Sequence, residues 1–382
     1  MFETSLIEIN QKALENNLKF IRDLIGSERR LSCVIKGNAY GHGIEEYVPL
    51  AEQCGVNHFA VFSADEAQRV FNVKHPETEI MIMGSVDDGG LAWAIDNNIE
   101  VWVFDNERLH KAIRLAEDLG KKVKLHLELE TGMNRTGLDN GALKQAIKEL
   151  KSSTDFFVLK GICTHFAGAE SIGNYYRIKD QIKKFKRMLT SLERQGLKPE
   201  YRHTCCSAAS LRFPSMMLDM VRIGILQYGF WPSQEVFIEY TRNKGSKNDP
   251  LKRLISWKSE IMSIKHVETG DFVGYGTSFL AQRDMQIGIA PVGYGHGFSR
   301  SLSNQGRALV NGTRVPVIGT VNMNSVALDL TEVANPAKGD TVTLIGHDGD
   351  LDVSVASFSE ASNQLNYELL TRLPMSIPRV VV

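Results

Sequence analysis

Eight short strand-like runs alternate with amphipathic stretches between residues 30 and about 230, and this rhythm constrains the fold most. Several of the runs are almost continuously apolar, as a sheet buried on both faces requires. Alternation of strand and helix predicts a parallel sheet, and eight such units are the number that closes a (β/α)8 barrel. An open doubly wound sheet is the alternative that fits the same pattern. The predicted strands are 31–35, 58–63, 79–84, 100–105, 122–130, 157–165, 200–206 and 219–228.

The pattern changes after residue 240. From there, helical periodicity is weak until a short stretch near 355–371, and β-like runs bounded by Gly, Asn and Asp take its place. The segment VNGTRVPV (310–317) carries the Asn-Gly signal of a two-residue hairpin. We therefore predict an α/β protein, with a (β/α)8 barrel in residues 1–240 followed by a mostly β domain in residues 241–382. Within residues 1–10, the run LIEIN is a candidate strand for pairing with that β domain.

Composition and short motifs exclude several classes of partner. A net charge of -1 creates no field that favours nucleic acid or an anionic membrane. The most basic stretch (241–253) has no aromatic residues suited to base stacking, so we expect a solvated loop there. The chain has no signal-peptide pattern, no run of about 18 apolar residues and no metal-ligand spacing among its histidines. With five cysteines, an odd count, we expect a cytoplasmic protein without disulfides or a metal.

A barrel of this kind places its chemistry at the carboxyl ends of its strands. Each polar residue found there has a structural explanation when taken alone: a solvated lysine, a core histidine or a buried, paired arginine. Their convergence at one rim indicates a functional site. The residues at these strand ends are Lys36, Arg135, His165, Ser207, Arg222, Gly224 and Ile225.

A phosphate site is expected in the loops after barrel strands seven and eight. Those loops hold the hydroxyl of Ser207 and also Gly224, which lets backbone N–H groups approach a ligand closely. A lysine amine, Lys36, in the same site suggests a Schiff base. Its partner would be either a sugar phosphate or pyridoxal phosphate. The residues alone leave these two possibilities open.

The chain resembles the alanine racemase family along essentially its whole length. VIKGNAYGHG (34–43) is similar to the family's pyridoxal-lysine motif. The resemblance implies a homodimeric, pyridoxal-phosphate-dependent racemase of fold type III that converts L-alanine to D-alanine for peptidoglycan precursors. The other matching segments, in the family's order, are ETGMNRTG (130–137), THFAGAE (164–170), SAASLRFP (207–214), DMVRIGILQYG (219–229), FVGYGTSF (272–279) and PVGYGHGFSR (291–300).

The resemblance also implies roles for individual residues. Lys36 would hold pyridoxal 5'-phosphate as a Schiff base and act as one base, and the second base would be Tyr275 of the partner subunit. Both bases need lowered pKa values. We expect positive charge on Arg222 and His165 to act on Tyr275, and Arg135 to act on Lys36. The other implied contacts are Tyr40, Ser207, Gly224 and Ile225 with the phosphate, Arg222 with the pyridine nitrogen, His165 near the ring, Arg135 and Met323 near the substrate carboxylate, and Tyr294 at the substrate entrance.

Three positions depart from the family pattern. Glu128 stands where the family often has a carbamylated lysine, so we expect it to orient Arg135 directly or through water, with no carbamate. Cys206 replaces an asparagine before the phosphate-binding serine, which we interpret as a packing substitution. Met375 stands where many members carry a tyrosine near the phosphate, so we expect weaker cofactor binding.

Other functions fit parts of the same pattern. A broader amino-acid racemase would act on serine or other side chains. A decarboxylase of the same fold would not need Tyr275 as a second base. A non-catalytic pyridoxal-phosphate carrier would resemble the barrel alone, so the second domain argues against it. The run GYGHG (293–297) lacks the G-x-G-x-x-G spacing of a nucleotide loop and lies in β-rich sequence.

Overall fold

The computed structural model describes residues 4–245, 248–354 and 366–382. Backbone contacts divide the chain into two compact units. The barrel unit comprises Lys12–Gly37 and Tyr47–Lys252, and the β unit comprises Met1–Gln11, Asn38–Glu46 and Arg253–Val382. The boundary expected after residue 240 falls inside a helix, and the chain leaves the barrel unit only after Lys252.

Eight parallel strands form the barrel, in chain order around the sheet. The first strand pairs with the eighth, with Ser32 opposite Arg222. Between the seventh and eighth strands, Asp219 N donates to Arg202 O at 3.1 Å and Arg222 N to Cys205 O at 3.0 Å. The predicted barrel is thus confirmed and the open sheet is wrong. The barrel strands, first to eighth, are Arg30–Val34, His58–Val61, Glu79–Ile82, Glu100–Val103, Val123–Glu128, Phe157–Cys163, Tyr201–His203 and Met220–Ile223.

Helices alternate with these strands along the chain. Their starts are set by side-chain caps where the sequence offers them: Asp105 accepts from Arg108 N at 2.8 Å, and Ser233 accepts from Val236 N at 3.2 Å. The last of these helices extends through Lys244, so the solvated loop expected from residue 241 begins later. The helices are Gln11–Ile25, Lys36–Tyr40, Ile44–Gln53, Ala64–Val73, Asp88–Asp96, Asn106–Asp118, Asn140–Ser152, Tyr175–Arg194, Ser207–Arg212 and Gln234–Lys244, with 3₁₀ turns at Ile172–Asn174, Pro214–Met216 and Ile225–Tyr228.

The β unit is built on one mixed sheet. Its N-terminal strand, Ser5–Ile9, pairs antiparallel with Ile255–Glu260 and parallel with Arg379–Val381. The predicted hairpin is confirmed, because Asn311 and Gly312 both have positive φ (48° and 70°) between two paired strands. The other strands are Ser263–Val267, Met285–Ala290, Arg307–Val310, Thr313–Ile318, Val326–Asp329, Thr341–Asp348 and Leu351–Val353, with 3₁₀ turns at Tyr294–His296 and Arg300–Leu302.

The stretch expected to be helical near 355–371 lies partly outside the described residues. Its described part contains the helix Asn366–Thr371. Over the described ranges, no helix combines the length and the apolar character needed to cross a membrane.

Candidate active site

Lys36 follows the first barrel strand and stands at the barrel rim. By its surface area, Lys36 is an exposed residue. Protein around the amine nevertheless desolvates it, and this burial, followed by the positive charge of Arg135, lowers the pKa of Lys36. The Glu66 carboxylate, from the helix Ala64–Val73, opposes that shift. A lysine with a lowered pKa has more neutral, nucleophilic amine near neutral pH. Glu66 was not identified from the sequence.

The loop after the fifth barrel strand carries Arg135 and is shaped by Glu130. The Glu130 carboxylate accepts hydrogen bonds from the backbone N–H groups of Gly132 and Asn134, the latter at 2.8 Å. Asn134 has a left-handed conformation, with φ at 55°. The loop therefore turns around one carboxylate, and it presents Arg135 as an exposed side chain.

Glu128 does not touch Arg135 directly. Its carboxylate is buried and accepts a hydrogen bond from the Thr136 hydroxyl at 2.7 Å, and no ion pair joins Glu128 to Arg135 in the part of the chain that the structure describes. The direct form of our expectation is wrong, because the hydrogen bond that the Glu128 carboxylate accepts from this loop comes from Thr136. Burial raises the pKa of Glu128, while Thr136 and the charge of Arg135 oppose the rise. Glu128 can thus influence Arg135 through its field and through the neighbouring Thr136.

His165 lies among three cations. Burial first, and then the charges of Arg222, Arg135 and Lys36, lower the pKa of His165 to about 3. The side chain is therefore neutral near pH 7. The expectation that His165 supplies positive charge to Tyr275 is wrong, and Arg222 remains as the candidate.

Gln181 joins two of these loops and was not identified from the sequence. It is buried on the inner face of the helix Tyr175–Arg194. Its amide donates to Thr131 Oγ1 at 3.1 Å and to His165 O at 3.0 Å. Its carbonyl oxygen accepts from Ala167 N at 2.9 Å. A glutamine between apolar residues at helical spacing was the available signal, because a buried polar side chain needs partners.

Two of the four residues expected to bind phosphate, Ser207 and Gly224, converge. Ser207 Oγ accepts a hydrogen bond from Gly224 N at 3.0 Å, and both residues are buried. The hydroxyl proton of Ser207 stays available for another acceptor. Ile225 follows at the start of a 3₁₀ turn and is also buried. Cys206 precedes Ser207 and makes no capping hydrogen bond with its thiol.

The residues that follow Lys36 form a left-handed helical turn. Gly37, Asn38, Ala39, Tyr40 and Gly41 all have positive φ, between 52° and 82°. This conformation costs about 1–2 kcal/mol for each residue that has a Cβ, so the surrounding structure must hold it.

Contacts within the β unit stabilise that turn. His42 Nδ1 lies 3.0 Å from both Ala39 O and Tyr40 O, and Arg379 donates to Gly41 O at 3.0 Å. A Cβ on Gly41 would lie 2.0 Å from Leu370 O, so only glycine fits at this position. Tyr40 itself therefore belongs to the β unit, although it lies only four residues after Lys36.

The β unit presents Tyr275 on a loop. Tyr275 is 77% exposed and stands between Gly274 and Gly276, which both have positive φ. Ser278 Oγ and Thr320 Oγ1, 3.0 Å apart, tie this loop to the segment that leads to Met323.

Tyr294 and Met323 lie on two segments that contact each other. Tyr294 N donates to Asn322 O at 2.9 Å, and Gly295 N donates to Met323 O at 2.8 Å. A Cβ on Gly293 would lie 2.1 Å from Asn322 O, so the glycine in GYGHG serves close backbone packing. Tyr294 and Met323 are 42% and 58% exposed, and Met375 is 69% exposed.

A closed parallel barrel, with a lysine of lowered pKa at its rim and a converging serine–glycine pair, is the arrangement of a barrel enzyme that uses pyridoxal phosphate. Two family descriptions match the chain: "Alanine racemase, N-terminal domain" over residues 9–232 and "Alanine racemase, C-terminal domain" over residues 254–381. The chain belongs to the alanine racemase family, which consists of pyridoxal-phosphate-dependent isomerases.

Individual relatives agree with this assignment. The alanine racemase of Leptospira interrogans is 35% identical over 379 residues, which cover 99% of this chain and 96% of that protein. The crystal structure of alanine racemase from Bacillus anthracis with bound L-Ala-P is 31% identical, with a TM-score of 0.91, and the match covers 100% of this chain and 96% of that one. The structure from Bartonella henselae, which has covalently bound pyridoxal phosphate, is 25% identical with a TM-score of 0.85 and 99% coverage of both chains.

Proposed function

We propose that this chain interconverts L-alanine and D-alanine with pyridoxal phosphate. It would act as a cytoplasmic homodimer and supply D-alanine for peptidoglycan. The observation that carries the proposal is Lys36, an amine at the barrel rim whose pKa is lowered by burial and by Arg135. No carbamate is expected at Glu128, because the side chain is a carboxylate already.

The residues of the barrel unit fit pyridoxal phosphate. Ser207 offers its hydroxyl proton to a phosphate oxygen, because its Oγ already accepts from Gly224 N at 3.0 Å and is held in place by that bond. Arg222 is buried and commits its terminal nitrogens to the protein, including Thr164 O at 2.9 Å, so its Nε–H is the donor that can face the ring nitrogen. Lys36 supplies the amine that would hold the aldehyde. Tyr40 and Ile225 are proposed as further phosphate contacts, and His165 as a neutral neighbour of the ring.

Bound pyridoxal phosphate withdraws electrons from the substrate Cα and so acidifies its C–H bond. Inversion at Cα then needs a proton acceptor on one face and a donor on the other. Lys36 can serve on one face, since its neutral amine accepts a proton and the resulting ammonium returns one. The nearby charge of Arg135 favours the neutral form, and Glu66 limits that effect.

Tyr275 of the partner subunit is proposed to serve the opposite face. Its exposure supports this role, because a tyrosine presented on a tied loop between two glycines is free to enter a second copy of the chain. Phe272 and Leu280 flank this loop and are 53% and 40% exposed. Exposed apolar side chains grouped in this way are typical of a surface that is covered by another protein.

The remaining residues are proposed to hold the substrate. Arg135, presented by the loop around Glu130, would bind the substrate carboxylate through paired N–H donors. Met323 would lie near that carboxylate, and Tyr294 would line the entrance. Glu128 supports the same loop through Thr136.

Incubation with L-alanine in deuterated water tests the proposal. Racemisation with deuterium incorporation at Cα is the expected result, because the returning proton comes from an exchangeable base. Carbon dioxide release, or a stable complex with no exchange, would overturn it. A panel with serine and larger amino acids, run in the same assay, separates an alanine enzyme from a broader racemase.

A further inference from the structure

Three histidines and a glutamate from four barrel strands meet inside the barrel. The side chains of His58, Glu100, His126 and His203 are each 0% exposed. His58 Nε2 and His126 Nε2 lie 3.0 Å and 2.8 Å from the same oxygen, Glu100 Oε2. His126 Nδ1 lies 2.8 Å from His203 Nε2, and His203 Nδ1 contacts Arg222. The proposed reaction uses Arg222 and none of the other four, so their burial needs its own explanation.

A series of hydrogen bonds links Arg222 to Glu100 through His203 and His126, and it can run in only one direction. An arginine only donates, so His203 Nδ1 must accept from Arg222 and carry no proton. Burial and the charge of Arg222 hold the pKa of His203 well below its usual range, so the ring is neutral with its proton on Nε2. That N–H donates to His126 Nδ1, which leaves the His126 Nε2–H to donate to Glu100. Each link fixes the tautomer of the next.

The backbone of the sixth barrel strand leaves room for this chain of hydrogen bonds. Leu125 pairs with Leu159, but His126 pairs with Gly161, so Lys160 is an extra residue that forms a β-bulge. A Cβ on Gly161 would lie 2.1 Å from His126 Nδ1 and 2.8 Å from His203 Nε2, where the hydrogen bond between the two rings runs.

The bulge residue is a charged partner of the carboxylate. The Lys160 ammonium lies 3.8 Å from Glu100 Oε1 and 2.6 Å from Glu200 Oε2. Burial alone would raise the pKa of Glu100, but the imidazoles of His58 and His126 hold that pKa well below its usual value. Glu100 is therefore an anion, and it forms the end of the hydrogen-bond chain that begins at Arg222.

A metal centre does not explain the cluster. In the chain from Arg222 to Glu100, each imidazole lone pair faces the N–H of its neighbour instead of a shared point. Over the ranges that the structure describes, no three His, Cys, Asp or Glu side chains are arranged to hold a metal ion.

We propose that Glu100 and His126 are positioning residues for Arg222. The directed chain from guanidinium to carboxylate keeps His203 Nδ1 an acceptor, and so fixes Arg222 NH1. Arg222 NH1 also donates to His203 O at 2.9 Å and NH2 to Thr164 O at 2.9 Å, so both terminal nitrogens are held by the protein. The Nε–H then has one orientation toward a ligand.

The effect of this hydrogen-bond chain on the reaction rests on the proposed function. The tautomers of His126 and His203 do not depend on that function. The first measurement is therefore ¹⁵N–¹H NMR of the holoenzyme labelled at histidine, with His126 and His203 assigned by single substitutions. Neutral rings with the proton on Nε2 are expected for both. A proton on Nδ1 of either ring, or a doubly protonated His203 near pH 7, would overturn the proposal whatever the enzyme's activity.

The second measurement separates positioning from packing. His126→Gln keeps one acceptor and one donor in line, whereas His126→Phe keeps only volume. We expect His126→Phe to lower kcat by about tenfold or more with KM little changed, and His126→Gln to recover most of that loss. In an Arg222→Lys background, His126→Phe should lower kcat by about twofold at most.

Matched controls complete the test. Glu79→Gln removes a carboxylate that contacts Lys160 but none of the histidines, and it should leave kcat near the parent value. An equal loss for His126→Phe in both backgrounds, or no recovery by a folded His126→Gln, would contradict the positioning role. If His126→Phe does not fold, the tautomers of His126 and His203 measured in the parent enzyme decide whether the proposal stands.

Discussion

His42 makes the left-handed turn after Lys36 sensitive to acid. Its Nδ1 carries the proton, because both of its backbone partners, Ala39 O and Tyr40 O, only accept. Burial lowers the pKa of His42 from 6.5 to about 4, against the opposing effect of these hydrogen bonds. The folded-state pKa lies below the unfolded one, so the stabilisation is complete above pH 6.5 and is lost as the pH falls toward 4. Between about pH 7 and 5 the expected loss is about 2 kcal/mol.

His42→Asn tests this magnitude, because the amide can donate to the same carbonyls and does not titrate. Urea denaturation at pH 7 and at pH 5 should show that the variant loses about 2 kcal/mol less than the parent over this interval. His75→Asn, a change at an exposed histidine, serves as the control and should follow the parent. Parallel losses in the parent and His42→Asn would refute the assignment of this acid sensitivity to His42.

Three further substitutions test the proposed site. Tyr275→Phe should slow the L-specific half-reaction more than Cα exchange from D-alanine, and equal losses would contradict the two-base proposal. Arg222→Glu should increase transamination, measured as pyruvate formed from alanine, because a protonated ring nitrogen becomes possible; an unchanged by-product level would contradict that role. Glu128→Ala leaves Thr136 without its acceptor and should lower kcat/KM about tenfold with little change in thermal stability; unchanged activity would assign Glu128 to structure alone.

The sequence predicted what depends on local pattern. All eight barrel strands were identified, because several are the almost continuous apolar runs of a strand buried on both faces and all of them alternate with amphipathic stretches. The hairpin at Asn311 and Gly312 was identified because few residues adopt positive φ readily. Lys36 was found because a charge directly after a buried strand has few explanations.

What depends on contacts between distant residues was not predicted. His58, His126 and His203 stand far apart in sequence and show no spacing, since each lies on a different barrel strand. The left-handed turn was also missed, because Ala39 and Tyr40 give no sign of positive φ beside the glycines. Glu128 was paired with the wrong partner, since the sequence does not show that Thr136 points back to it.

Subunit mixing tests the central proposal most directly, namely that Lys36 of one chain works with Tyr275 of the partner subunit. Lys36→Ala and Tyr275→Phe, each folded and each impaired alone, would be mixed and allowed to exchange subunits. Half of the dimers would then be hybrids with one intact site of two, so about one quarter of the parent activity should appear. Mixtures no more active than the separate variants, with exchange demonstrated, would contradict a site shared between two chains.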